Sequence, residues 1–121
     1  MNTHQIGNAA EDAAARYLEE HGYHILDRNY RFRHTEIDII AKEKDYLVFI
    51  EVKYRKSAAR QHPLAAVGQE KQKRISVTAL HYLQTHHYNM SVPCRFDVLA
   101  ILGEEPVLLK NAFPFQFTKG W

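Results

Sequence analysis

The alternation of apolar and polar positions divides the chain into seven segments. From about residue 5 to 21, Ala10, Ala13, Ala14, Tyr17 and Leu18 recur at helical spacing, Asp12, Arg16, Glu19 and Glu20 fall on the other side, and Gly22 supplies a stop. Tyr23 to Arg31 reads as a strand edged by polar residues. The runs Glu36–Ala41 and Tyr46–Tyr54 are dense in β-branched and aromatic residues, and Lys42–Asp45 between them reads as a hairpin turn. Residues 56–66, with Pro63, read as a loop. Residues 68–86 form a second helix with Ile75, Ala79, Tyr82 and Leu83 toward the core. Arg95–Leu102 and Val107–Ala112 are the last strands, with Gly103 and Pro106 marking the turn between them. The order predicts one layered α/β domain over residues 1–121, a sheet with helices packed on it.

The hairpin carries the candidate chemistry. Side chains alternate along a strand, so Glu36 and Asp38 share one face, as do Glu51, Lys53 and Arg55 on the next strand. A turn centred between Glu43 and Lys44 would set Asp38 opposite Phe49 and make Asp38 and Glu51 diagonal neighbours, roughly 7–8 Å apart at the backbone. Two carboxylates so placed repel one another without a counter-charge, so neutralising either should relieve strain. Mg²⁺, which takes carboxylate oxygens and keeps waters for a substrate, would resolve the conflict, with Lys53 beside it. The same spacing also fits a Glu51–Lys53 ion pair at a sheet end, with Asp38 on a solvated face.

Composition narrows the setting. With 45% hydrophobic and 25% charged residues the chain belongs with globular proteins and not with disordered ones. The net charge of +2 permits a nucleic-acid partner without arguing for one, so that case rests on where the cations sit. Cys94 is the only cysteine, which excludes an intramolecular disulfide and a cysteine-based zinc site and suits a reducing cytoplasm. Met1 to Ala10 lacks a signal-peptide pattern, and the longest apolar run, Leu47–Ile50, is far too short to span a bilayer, so no membrane role is expected. Eight histidines are present, but His81 and His86-His87 show no zinc-site spacing and read as surface or capping residues. Asp97 reads as structural, paired with Arg95 or a neighbouring strand.

Thr-Glu-Ile-Asp38 followed after a turn by Glu51-Val-Lys53 resembles the PD-(D/E)XK signature of restriction-endonuclease-like nucleases. The chain is similar along almost its whole length to the YraN-like family of small bacterial proteins. The residues that carry this are Gly7, Glu11, Ala14 and Tyr17-Leu18, the runs Glu36–Ala41 and Val48–Arg55, then Val67, Lys71, Arg74, Tyr82-Leu83 and Arg95–Val98. Thr35 stands where the family usually has Gly, and Gln61-His62 precedes Pro63 where relatives often carry Gly. The resemblance implies a restriction-endonuclease-like core, a mixed sheet flanked by helices as in Holliday-junction resolvases. It implies that Asp38 and Glu51 bind Mg²⁺ or Mn²⁺, that Lys53 assists catalysis, and that Glu11 approaches the metal from the first helix. The expected function is a metal-dependent endonuclease acting on DNA, on branched or repair intermediates, with a homodimer by analogy with resolvases. The rival is a weak or inactive nuclease-fold module that binds nucleic acid or a protein partner.

Supporting residues keep two readings each. Glu11 shares a helix face with Ala14 and Leu18 and so points inward; it would instead close a capping box if the helix began at Asn8. Lys71, Lys73 and Arg74 lie in the first turns of the second helix, where cations oppose the dipole, so phosphate binding would explain them and a solvated basic face would also fit. Lys71 shares a face with Ile75, Thr78 and Tyr82 and could reach the site. Arg55 could contact phosphate or pair with Glu36.

Overall fold

A computed structural model describes residues 3–55 and 67–116. The element order is α1 (Thr3–Glu20), β1 (His24–Phe32), β2 (Thr35–Glu43), β3 (Tyr46–Arg55), α2 (Gln69–Thr85), β4 (Cys94–Leu102) and β5 (Glu105–Phe113). Side chains of α1 are described from residue 9 onward. The loop read over 56–66 lies outside the described residues.

The five strands form one sheet in the order β1-β2-β3-β4-β5. The first three make an antiparallel meander, β3 and β4 run parallel, and β5 returns antiparallel. Antiparallel neighbours need only tight turns, and here each hairpin turn has two residues. Phe32 pairs with Thr35, Glu43 with Tyr46 and Leu102 with Glu105. The first turn residue is left-handed in each case: Arg33 (φ 57), Lys44 (φ 55) and Gly103 (φ 68). The left-handed demand of the first hairpin thus falls on Arg33. Thr35, in the place where glycine is usual, lies in the strand, and is not among the residues with positive φ. A parallel neighbour needs a crossover, and α2 lies in the connection between β3 and β4.

Each helix covers one face. Ala14, Ala15 and Leu18 of α1 pack with Ile39, Ala41, Val48, Ile50 and Leu99. Ile75, Ala79, Tyr82 and Leu83 of α2 pack with Ile40, Leu47, Phe49, Phe96 and Val98. The central strands are therefore apolar on both faces, which explains the unbroken run Leu47–Ile50. Pro106, expected in the last turn, instead sits inside β5 opposite Ile101. β5 is an edge strand, where a missing N–H leaves no ladder bond unmade.

The far end of the sheet is fastened by ions. Asp97 is fully buried, accepts from Arg95 Nε (3.0 Å), Tyr23 Oη (2.8 Å) and the Asn111 amide (2.9 Å), and reads as structural, as expected. Arg95 Nη2 also donates to Glu43 Oε1, and Lys110 Nζ donates to Glu43 Oε2 (2.9 Å). Those hydrogen bonds hold the Glu43 carboxyl below its usual range against the opposing effect of burial. The cluster ties β2, β4 and β5 to Tyr23, just ahead of β1.

Candidate metal centre at the strand fork

The β2–β3 turn is centred one residue later than the spacing suggested. Regular pairing runs from Glu43↔Tyr46 to Ile39↔Ile50 and stops there. The same register continued would bring Asp38 level with Glu51 rather than diagonal to it. Past that point β2 stays with β1 and β3 stays with β4. The strands diverge into a fork, and Asp38 occupies it: its Oδ2 accepts the Val52 amide of β3 at 2.8 Å. Strict alternation also fails here. Ile37 packs on the α2 side and Ile39 on the α1 side, and Asn29 in β1 is left-handed at φ 55. The local bend lets groups from both faces of the sheet meet at Asp38.

Three carboxylates converge at the fork. One oxygen each from Glu11, Glu36 and Asp38 lie within 4.8 Å of one another, all half-buried. α1 begins at Thr3, so Asn8 lies inside the helix and no capping box can claim Glu11. Glu36 does not pair with Arg55; Arg31 takes it, with Nη2 at 2.8 Å and Nε at 2.9 Å. Arg55 donates instead to the Tyr54 carbonyl at 2.9 Å and is exposed. With its amide nitrogen turned to the acids, Asn29 reaches Glu36 Oε1 at 2.8 Å and Glu11 Oε2 at 3.3 Å. Glu36 and Asn29 complete the cluster, and neither stood among the site residues read from sequence. The available signal was Glu36 two positions before Asp38 on one strand; the bend that recruits Asn29 has no local signature.

Glu51 is buried and faces the lysines. Its Oε1 accepts Lys71 Nζ at 2.6 Å and lies 3.3 Å from Lys53 Nζ. The Glu51–Lys53 pair of the alternative reading is present, but Asp38 is not on the solvated face which that reading gave it. Burial, and next the charge of Glu51, push its carboxyl up to about 7 despite the Val52 bond; Glu11 and Glu36 add to the rise. Burial lowers the Lys53 pKa, helped by Lys71 and opposed by Glu51. Burial acts the same way on Lys71, but its bonds to Glu51 and Lys53 and the charge of Asp38 win, and it holds its proton more firmly than usual. Lys71 therefore reaches inward, whereas Lys73 and Arg74 line the surface cleft beside α2.

The donor set is all oxygen, drawn from a helix and a strand, and partly desolvated. That chemistry fits a hard divalent cation such as Mg²⁺ or Mn²⁺, which would also offset the burial, and then the repulsion, that raise Asp38. Two histidines of α2 and its end bond within the fold: His81 Nδ1 lies 2.7 Å from Tyr30 Oη, and His86 Nδ1 lies 3.1 Å from the Tyr82 carbonyl at the C-terminus of α2.

A mixed five-stranded sheet with one helix on each face is an α/β architecture consistent with a restriction-endonuclease-like core. Comparison with known proteins places it more closely. Residues 10–101 match the model of a family described as "Uncharacterised protein family UPF0102". A UPF0102 protein of Lachnoclostridium phytofermentans is 51% identical over 113 residues, 93% of this chain and 96% of its own length. One of Syntrophus aciditrophicus is 48% identical over 117 residues, 93% and 91% of the two chains. One of Coxiella burnetii strain RSA 331 is 40% identical over 116 residues, 95% and 97% of the two chains. The chain belongs to the UPF0102, or YraN-like, family.

Proposed function

We propose that the protein is a metal-dependent endonuclease that hydrolyses phosphodiester bonds in DNA, acting on branched or recombination and repair intermediates. The observation that carries this reading is the fork itself: Glu11, Glu36 and Asp38 meet within 4.8 Å, and Glu51, whose charge bears on Asp38, holds Lys53 and Lys71 beside it. Acids and fixed cations side by side suit a reaction on a phosphate, in which negative charge builds on oxygens between them.

Asp38, Glu11 and Glu36 would hold Mg²⁺ or Mn²⁺, with Glu51 next to them. When bound, the cation would act as a Lewis acid on a phosphate oxygen and lower the pKa of a bound water. Lys53 sets its ammonium 3.3 Å from Glu51, whose charge also bears on Asp38, and would stabilise charge developing on the phosphate. Lys71 keeps Glu51 in place through its 2.6 Å bond. Val52 fixes Asp38 by donating its backbone amide, so the carboxylate is oriented before anything binds. Among the described residues no helix is long and apolar enough to cross a membrane. A cytoplasmic setting and a homodimer, which would supply two sites for two strands, complete the proposal.

The test is cleavage of linear, nicked, flapped and four-way DNA with Mg²⁺ or Mn²⁺. Lys53→Ala should keep metal binding and lose cleavage, since Lys53 is not a ligand; Asp38→Asn should lose both. Turnover unchanged in Lys53→Ala would remove Lys53 from the chemistry, and no metal-dependent cleavage of any substrate would reject the activity.

A further inference from the structure

A second feature lies beside the fork. The α2 face bearing Lys73, Arg74 and Val77 is separate from the Lys71, Ile75, Ala79 and Tyr82 stripe that meets the sheet. It looks across at the β1–β2 turn, where Phe32 and Arg33 form the opposite wall. Between them is a cleft of about 350 Å³. It does not stop there: one adjoining hollow of about 230 Å³ shares Phe32, Arg33 and Val77 and runs on along α2. Another, of about 260 Å³, shares Arg33 and Thr35 and reaches Glu36 at the carboxylate cluster. Through these shared residues they adjoin as one groove, whose last stretch is lined by Glu36, one of the three clustered carboxylates.

The walls have a definite chemistry. Arg33, Lys73 and Arg74 line the main cleft against one acid, Glu70, so it favours an anion. The floor is apolar or aromatic. Phe32 is braced by His81, stacked on it at 3.9 Å and 15°, and the Arg33 guanidinium lies over the Phe32 ring at 5.0 Å. A guanidinium plane backed by an aromatic ring is a surface on which a base can stack. The cleft is at the small end of the roughly 300–1,000 Å³ that small-ligand sites span, a size for one unpaired nucleotide and not for a double helix. A basic track with stacking surfaces is the arrangement that holds single strands.

We propose that this groove binds an unpaired DNA strand, with a nucleotide seated between Arg33 on the β1–β2 turn and Arg74 on α2, and leads that strand to the carboxylates. The inference rests on the nuclease reading and deepens it: the preferred substrates carry an unpaired segment at the cut. Sequence periodicity pointed to α2 but not to Arg33, because only the hairpin brings the turn over the helix.

The experiment uses the full chain as Asp38→Asn, in EDTA and at one salt concentration, so that nothing is cut. Fluorescence anisotropy gives its affinity for a short labelled single strand and for the blunt duplex of the same sequence. The expected preference for the single strand is about tenfold. Val77→Trp, which fills the cleft without changing charge, and Arg33→Ala/Arg74→Ala, which strips both walls, should each bring the ratio close to one. The double substitution is at surface positions, so it keeps the test valid if the tryptophan disturbs folding. Equal affinity for the two DNAs without cleft substitutions, or a preference that survives both variants, would overturn the inference. Neither metal nor turnover enters these measurements, so they can fail while cleavage succeeds, and the reverse.

Discussion

Asp38 carries the strained charge of the fork, and that has a consequence for pH. Its pKa rises from 3.8 to about 7 on folding. Between these values the folded chain holds a proton that the unfolded chain has released. Stability therefore falls as pH rises through this window. The metal-free protein should melt higher near pH 5 than near pH 8, and Asp38→Asn should flatten that difference; an unchanged slope in the variant would show that the strain lies elsewhere. Removing the charge of Glu51 should have the opposite effect on stability. Sequence spacing makes the two acids equivalent, so that neutralising either would relieve repulsion. In the structure Glu51 balances two lysines, at 2.6 and 3.3 Å. Glu51→Gln should therefore destabilise the metal-free protein by stranding Lys53 and Lys71, which a melting curve beside that of Asp38→Asn would read.

At the scale of elements, α2 does two jobs with two faces. Its inner face is core, and Lys71 extends that face to Glu51; its outer face offers Lys73 and Arg74 to the groove. Its N-cap, Gly68, makes no side-chain capping bond, and cations in the first turns oppose the helix dipole, so they bring no local benefit to the helix. Lys73→Ala/Arg74→Ala should weaken DNA binding and make its salt dependence shallower, by about 0.9 in slope for each phosphate no longer neutralised. A titration showing the parent slope would return these residues to the solvated-face reading. The strands are held in register at the other end of the sheet by Arg95, which joins Glu43 of β2 to Asp97 of its own strand. Arg95→Ala would leave fully buried Asp97 without its cation, and should cost about 3–5 kcal/mol by chemical denaturation without touching the fork. A loss below about 1 kcal/mol would mean that Tyr23 and the Asn111 amide suffice for Asp97.

At the scale of the whole molecule, a cation held at the fork would couple to folding, because Glu11, Glu36 and Asp38 come from α1 and β2 and meet only in the native state. If the Mg²⁺ dissociation constant is on the order of 1 mM, about 10 mM Mg²⁺ adds roughly 1.4 kcal/mol, a melting shift of roughly 3–6 °C. Asp38→Asn should lose most of that shift and Glu36→Gln part of it, against a monovalent salt control of equal ionic strength. A parent shift no larger than its salt control would remove the metal centre from the proposal.

The sequence by itself determined the elements and marked most of the charged groups that meet at the fork. Helical spacing located α1 and α2, β-branched runs located β2 and β3, and Asp38, Glu51 and Lys53 stood out as charges in apolar strands, because period and burial are properties of neighbouring residues. Tertiary structure decided what those groups face. The hairpin register depended on which residue could take the left-handed turn position; Lys44 took it, which shifted the pairing by one residue, and the strands part just before Asp38. The bend at Asn29 and Asp38 broke the strict alternation expected along β2 and brought Glu36 and Glu11 to one point. Lys71 claimed Glu51 across 20 residues of chain, and Arg33 came to oppose Arg74 across a cleft. Such meetings depend on how a helix is laid on a sheet and where paired strands part, and packing of the whole chain sets both.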